Sequence, residues 1–299
     1  MHDRRNTLIR SWLIAPANVE RRASKSLRCG ADAAVLDLED AVAVAEKPAA
    51  RQLAVQRLRE PRTALGYVRI NGYEEGCYHD LLEIVGPWLD GILVPKAQDA
   101  SSLQSIDWAL RQLEVSQGMV PGSIDMVPII ETCAGVMNIA SIARATPRIS
   151  RLAFGGGDFT RDMGIAWTRD EAEVHEARLQ TVMASRAAGL AKPIDTVFIH
   201  LDDEPGLRAS VQRGVQLGFG AKSCIHPQQI AAIHQGLAPA PAAVADAQRV
   251  VDAFRQAEAQ GRAAIRLDGR LVDYANAQSA KDVLALHEQH RQADRRHSG

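Results

Sequence analysis

Short apolar runs rich in β-branched residues alternate along the chain with longer stretches of helical periodicity. Strands are expected at SWLIAP (11–16), AAVLDLED (33–40), GYVRIN (66–71), GILVPK (91–96), IDMVPIIE (124–131), RLAFGGG (151–157), TVFIH (196–200) and AKSCIHP (221–227). Between them lie amphipathic patterns such as SLQSIDWALRQLEV (102–115) and EAEVHEARLQTVMASRAAGL (171–190). Near-continuous apolar strands mean a sheet covered on both faces, and their alternation with helices means parallel strands joined by crossovers. Eight such units predict an α/β fold of the (β/α)8 TIM-barrel type rather than an open doubly wound sheet.

After the eighth run the pattern changes. A Pro/Ala-rich linker runs into a helix over 236–261, followed by the short segment AAIRLDGRLVDY (263–274) and a charged helix from about residue 276. The expected division is a catalytic barrel over 1–235 and a C-terminal helical appendage over 236–299. Three histidines in the terminal HEQHRQADRRHSG read as a frayed, solvated helix end rather than a metal site.

The 299 residues leave room for a barrel of about 250 residues with added helices. A net charge of −1, with 4 Trp and 4 Tyr, gives neither the basic balance nor the stacking platforms of a nucleic-acid binder. No membrane segment is expected: no apolar run reaches ~18 residues, and the first thirty residues lack a signal-type apolar core. Cys29, Cys77, Cys133 and Cys224 are scattered without a C-x-x-C pair, which fits reduced thiols and a cytoplasmic location.

A barrel of this kind carries its chemistry at the C-terminal ends of its strands, and those ends are polar here. They hold Asp37, Glu39 and Asp40, then Arg69 and Asn71, Lys96, Glu131, Asp158, His200 and Asp202, and His226. Glu131 and Asp158 offer hard oxygen donors suited to Mg2+ with coordination positions left open. Gly155, Gly156 and Gly157 would let a ligand approach the ion; alternatively they make a tight turn with Asp158 capping the next helix. Arg69 needs an anionic partner, either Asp37 or Glu39 structurally or a substrate oxyanion functionally. Lys96 reads as electrostatic support rather than a Schiff-base lysine, since a metal site removes that need.

The motifs GADAAVLDLEDAV, VRIN, DGILVPK, PIIETCAG, FGGGDFT and IHP, in this order, resemble the citrate lyase β-subunit-like and malyl-CoA lyase family of the HpcH/HpaI aldolase superfamily, over about residues 10 to 275. The resemblance implies that Glu131 and Asp158 bind Mg2+, and that Arg69 stabilises a thioester enolate. It implies that Glu39 and Asp40 form an acidic pair near the metal's water shell and the arginine, and that Gly156 and Gly157 adjoin the bound acid. DGRLVDY matches a C-terminal segment carrying a general acid/base aspartate, here Asp273, delivered by a neighbouring subunit in what is expected to be a homotrimer. A helix N-cap is the structural alternative for Asp273. Arg22 and Lys25 of PANVERRASK match the family's CoA-binding loop, where Ala17 and Val19 replace a usual glycine and arginine. Cys133 replaces a usual proline. Met163 and Trp167 either shape the pocket or pack.

The activity so implied is Mg2+-dependent cleavage of a 3-hydroxy-carboxyacyl-CoA, of malyl-CoA or citramalyl-CoA type, to an acyl-CoA and a 2-oxo acid. The alternatives are a CoA-independent aldolase, an acyl-CoA thioesterase and, outside catalysis, a barrel acting as a binding subunit.

Overall fold

A computed structural model describes residues 7 to 297 and divides the chain into two compact units, 1–234 and 235–299. In the first, eight strands close into a barrel in sequence order, and every adjacent pair is parallel. They are β1 (Ser11–Pro16), β2 (Ala33–Asp37), β3 (Leu65–Arg69), β4 (Gly91–Val94), β5 (Asp125–Ile130), β6 (Ala153–Phe154), β7 (Ile194–Asp195) and β8 (Ala221–Cys224). The helices of this unit are α1 (Glu20–Ser26), α2 (Lys47–Arg59), α3 (Cys77–Ile84), α4 (Ala100–Ser116), α5 (Cys133–Met137), α6 (Ile139–Ile142), α7 (Gly156–Met163), α8 (His175–Ala187), α9 (Glu204–Leu217) and α10 (Gln229–Leu237), which ends three residues into the second unit.

The period-2 alternation of a strand sorts the core into two layers. Trp12, Val35, Tyr67, Leu93, Val127 and Ile129 pack together inside the barrel. Their neighbours Leu36, Val68, Ile92, Met126 and Ile130 pack outward beneath the helices. Continuing the same alternation turns Asp37, Arg69 and Glu131 inward at the strand ends. The register Pro16↔Asp37, Asp37↔Arg69 and Arg69↔Leu93 sets the first of these in one row at the rim.

Several boundaries differ from expectation. β6 stops at Phe154 rather than continuing through the glycines, because Gly155 is the N-cap of α7 and Gly156 begins the helix. β7 is Ile194–Asp195, upstream of the expected 196–200. With β6 ended, the next donor on its side, the Gly156 N–H, goes to the Thr196 hydroxyl at 2.8 Å instead of to a strand carbonyl. Asp203 caps α9 by accepting from Gly206 N.

The second unit packs α11 (Pro241–Ala259) and α12 (Tyr274–His297) with a hairpin of β9 (Ala264–Leu267) and β10 (Arg270–Asp273). Val250, Phe254, Val272, Ala277 and Ala280 form its core. The hairpin turns on Asp268 and Gly269, both at positive φ, as a two-residue Asp-Gly loop requires. α12 stays helical through His297 and buries His290, so the expected fraying does not occur there; Ser298 and Gly299 of that segment lie outside the described residues.

Candidate active site

Asp37, at the end of β2, is fully buried and organises the rim. It accepts the backbone N–H groups of Glu39 and Ala41 at 3.1 Å, which shapes the loop of the DLED motif. It also grips Arg69 in a fork, with Nε and Nη2 both at 2.6 Å. The third guanidinium nitrogen, Nη1, lies 2.8 Å from Glu39 Oε2. Burial works against the charge on Arg69, but the Asp37 and Glu39 carboxylates outweigh it and hold its pKa above the ordinary value. Arg69 is thus a fixed cation, pre-aimed by a bidentate partner.

Glu39 is shared. Its other oxygen, Oε1, lies 2.7 Å from Lys96 Nζ, and burial raises its pKa despite the two cations. Lys96 contributes twice, because its peptide N–H donates to Glu131 Oε1 at 2.8 Å. It does so from the left-handed region, φ 48°, a conformation costly for a non-glycine residue and often found at functional sites. Asp40 stands at the edge, about half exposed and 3.8 Å from the Lys96 ammonium.

Glu131 is deeply buried, and its pKa is pushed up to about 8, first by burial and then by the Glu39 charge, with Asp158 adding to the rise and Arg69 opposing it. Asp158 is the third residue of α7, in its first turn and one-quarter exposed, with Arg161 Nη1 at 3.5 Å. The first glycine has a role different from the one expected. A Cβ on Gly155 would fall 2.3 Å from Glu131 Oε2, so this glycine makes room for the glutamate itself. Those on Gly156 and Gly157 would meet the Trp167 ring at 3.4 and 3.2 Å. The three glycines therefore seat two side chains of the protein, beyond any clearance they give a ligand.

The donor set fits a hard divalent cation. Glu131 is buried and feels the Glu39 and Asp158 charges, a repulsion that a cation there would relieve. Among the described residues no three His, Cys, Asp or Glu side chains converge as ligands. Two carboxylates alone would leave such an ion positions for water or substrate oxygens.

Beside this cluster, where β1 and β8 end, lies a cavity of about 500 Å3. Arg22 and Lys25 both line it, with Pro16, Val19 and His226. Arg21, passed over in the sequence, lines it too, and its place in the RR pair was the available signal. Asn71 belongs elsewhere: its backbone and side-chain nitrogens both donate to Asp80 of α3 at 2.7 Å. Cys133 is exposed, and the Asp162 carboxylate beside it raises its thiol pKa, the opposite of nucleophile activation. In the second unit Asp273 caps α12, accepting from Asn276 N at 3.0 Å, while the Asn276 side chain accepts from Asp273 N.

The HpcH/HpaI aldolase/citrate lyase family model matches residues 10–227. The chain belongs to this family. The citrate lyase subunit beta of Leuconostoc mesenteroides subsp. cremoris is 34% identical over 93% of both chains. The L-malyl-CoA/beta-methylmalyl-CoA lyase of Rhodobacter capsulatus is 32% identical over 93% of this chain and 94% of its own. Among solved structures, protein CitE of Mycobacterium tuberculosis in complex with magnesium, acetoacetate and coenzyme A superposes with a TM-score of 0.78, at 26% identity, over 95% of this chain and 99% of that one. The two sequence relatives are named as lyases, and the carbon–carbon lyase class expected from the sequence stands.

Proposed function

We propose that the protein is a Mg2+-dependent lyase that splits a 3-hydroxy-carboxyacyl-CoA of malyl-CoA or citramalyl-CoA type into an acyl-CoA and a 2-oxo acid. The observation that carries the reading is the linked cluster at the barrel mouth, in which Arg69 is forked on Asp37 and paired with Glu39, and Glu39 holds Lys96, whose peptide N–H reaches the buried Glu131. Support for a CoA carrier comes from the adjoining cavity, where Arg21, Arg22 and Lys25 offer fixed positive charge to phosphates.

Cleavage passes the proton of the 3-hydroxyl to solvent, breaks the C2–C3 bond and leaves its electron pair on the thioester as an enolate. Protonation of C2 then releases the acyl-CoA, and C3 becomes the carbonyl of the 2-oxo acid. A Mg2+ ion on Glu131 and Asp158 would supply Lewis acidity to the hydroxyl and carboxylate oxygens of the departing acid. Arg69 stabilises the enolate oxygen where negative charge develops. Asp37 keeps the guanidinium from rotating away, since two of its nitrogens are already committed. Glu39, held by Arg69 and Lys96, sets the negative field that favours a cation at Glu131, with Asp40 at its outer edge. Asp273 is the acid/base group for C2, contributed by a neighbouring copy of the chain in a homotrimer.

Release of acyl-CoA and 2-oxo acid from a panel of hydroxyacyl-CoA thioesters, with Mg2+ and with EDTA, tests this. Metal-dependent formation of both products is expected and identifies the acyl chain. Free CoA would mean thioester hydrolysis, and cleavage of CoA-free hydroxy-oxo acids alone would mean the aldolase reading; either overturns the proposal. Glu131→Gln should abolish Mg2+-dependent turnover while circular dichroism and melting temperature remain those of a folded barrel. Retained Mg2+-dependent activity in that variant would remove Glu131 from its assigned place.

A further inference from the structure

Between α7 and α8 the chain crosses the surface, and residues 161–170 are exposed with one exception, the half-buried Trp167. The indole lies against the first turn of α7, as its distances of 3.2 and 3.4 Å from added methyl groups on Gly157 and Gly156 indicate. That turn carries Asp158, and its Gly156 N–H is held by Thr196. Asp158 therefore projects from backbone held by the Gly155 N–H on Ile130 O of β5 and by the Gly156 N–H on Thr196 just past β7, and covered by one ring.

The next four residues of the chain fix the ring. Arg169 pairs with Asp203 at 2.6 Å, and Thr168 N donates to Glu173. Glu171 then turns inward at φ 57°, a non-glycine residue in the left-handed region and almost fully buried. Its carboxylate accepts from Ser210 Oγ at 2.9 Å and lies 3.2 Å from both Arg178 and Arg213. Arg178 continues to Asp195 at 2.5 Å, and Asp195 to Lys222 at 3.2 Å. Asp195 and Lys222 alternate with the inward Ile194 and Ala221, so this ionic cluster faces the helices and stands apart from the reaction chemistry. A buried cluster of this kind contributes little net stability compared with apolar packing, whereas removing one member leaves buried charge uncompensated. A strained residue is kept where its surroundings over-determine it.

We propose that Trp167 is a positioning residue for the Asp158 carboxylate, and that the buried pairing of Glu171 with Arg178 and Arg213 holds Trp167 in place. The proposal rests on the reading of Asp158 as a ligand of the metal. Groups that orient a metal ligand typically cost ~10–100-fold in affinity when removed. Calorimetric titration with Mg2+ alone is the test, on wild type, Asp158→Asn, Trp167→Ala, Trp167→Phe, Glu171→Gln and Arg213→Gln, with melting temperatures in parallel. Expected are loss of binding in D158N, about 10-fold weaker binding in W167A, recovery in W167F, and weakening in E171Q. R213Q serves as the milder probe of the same pairing if E171Q fails to fold, because Arg213 is one-third exposed. Wild-type binding in W167A beside lost binding in D158N overturns the proposal and leaves Asp158 in its place. Wild-type binding in D158N overturns the reading of Asp158 and the proposal with it. A W167F as weak as W167A overturns the packing argument, and unaltered binding in both folded E171Q and R213Q overturns the part assigned to the anchor.

Discussion

At the scale of single residues the site is governed by close approach. Gly155 has ordinary φ, so an alanine there meets no backbone penalty; the cost is purely the Cβ that would fall 2.3 Å from Glu131 Oε2. Gly155→Ala should therefore displace Glu131, with roughly 1–3 kcal/mol of overpacking and ~100-fold loss of turnover, because small displacements of a positioned group are felt steeply. A melting curve and a kcat measurement check both, and full activity would show that Glu131 tolerates the shift. Arg69→Lys is the complementary case. A lysine keeps the charge but loses the fork on Asp37, so kcat should fall ~10²–10³-fold with Mg2+ affinity nearly unchanged. Arg69 and Glu131 were legible as strand-end residues because the period-2 alternation carries an apolar strand into its polar tip. That Gly155 exists for Glu131 was not legible, since the contact crosses from one strand end to its neighbour. The same holds for Lys96, where only the folded loop reveals a peptide N–H aimed at Glu131.

At the scale of elements the barrel's eight strands follow from the alternation of apolar runs with helical ones, and the Asp-Gly pair marks the β9–β10 hairpin. The bounds of the short strands did not follow, because β6 and β7 end where side-chain and capping bonds replace the ladder, and an apolar run such as TVFIH signals burial as readily as strand pairing. Elsewhere single ion pairs fix how elements join. Glu114 of α4 accepts from Arg148 Nη1 and Nη2 at 2.6 and 2.9 Å and from the N–H groups of Gly122 and Ile124 at 2.7 and 2.8 Å, which pins the approach to β5. Glu114→Gln leaves Arg148 with Asp107 as its one remaining anionic partner among the described residues, Nε to Oδ1 at 2.6 Å, and should cost about 2 kcal/mol. Burial raises the pKa of Glu114, but Arg148 and the two N–H groups more than offset it, leaving the folded value below the ordinary one. The pair's contribution is then complete above the unfolded pKa of about 4.3 and is lost as pH falls through the folded value. The melting temperature of the wild type should thus fall more steeply than that of E114Q below about pH 4.5. Parallel profiles would show that Glu114 ionises alike in both states.

At the scale of the whole molecule the source of the proton for C2 makes assembly part of catalysis. Asp273 caps α12 through one carboxylate oxygen, so its second oxygen is not committed to the cap. Leu271 and Tyr274, beside it, are both more than half exposed. If the acid/base group comes from a neighbouring copy, a working site needs Arg69 from one chain and Asp273 from another. Arg69→Ala and Asp273→Ala should each be inactive alone. When the two are unfolded and refolded together in equal amounts, about one quarter of sites (one half times one half) combine an intact Arg69 with an intact Asp273 from a neighbour, whatever the number of subunits in a closed ring. Activity should return to about that fraction of wild type, and light scattering should give the mass of a trimer. No recovery on mixing, with both variants folded and assembled, would place both residues of a site on one chain, and a monomer at working concentration would exclude the shared site altogether.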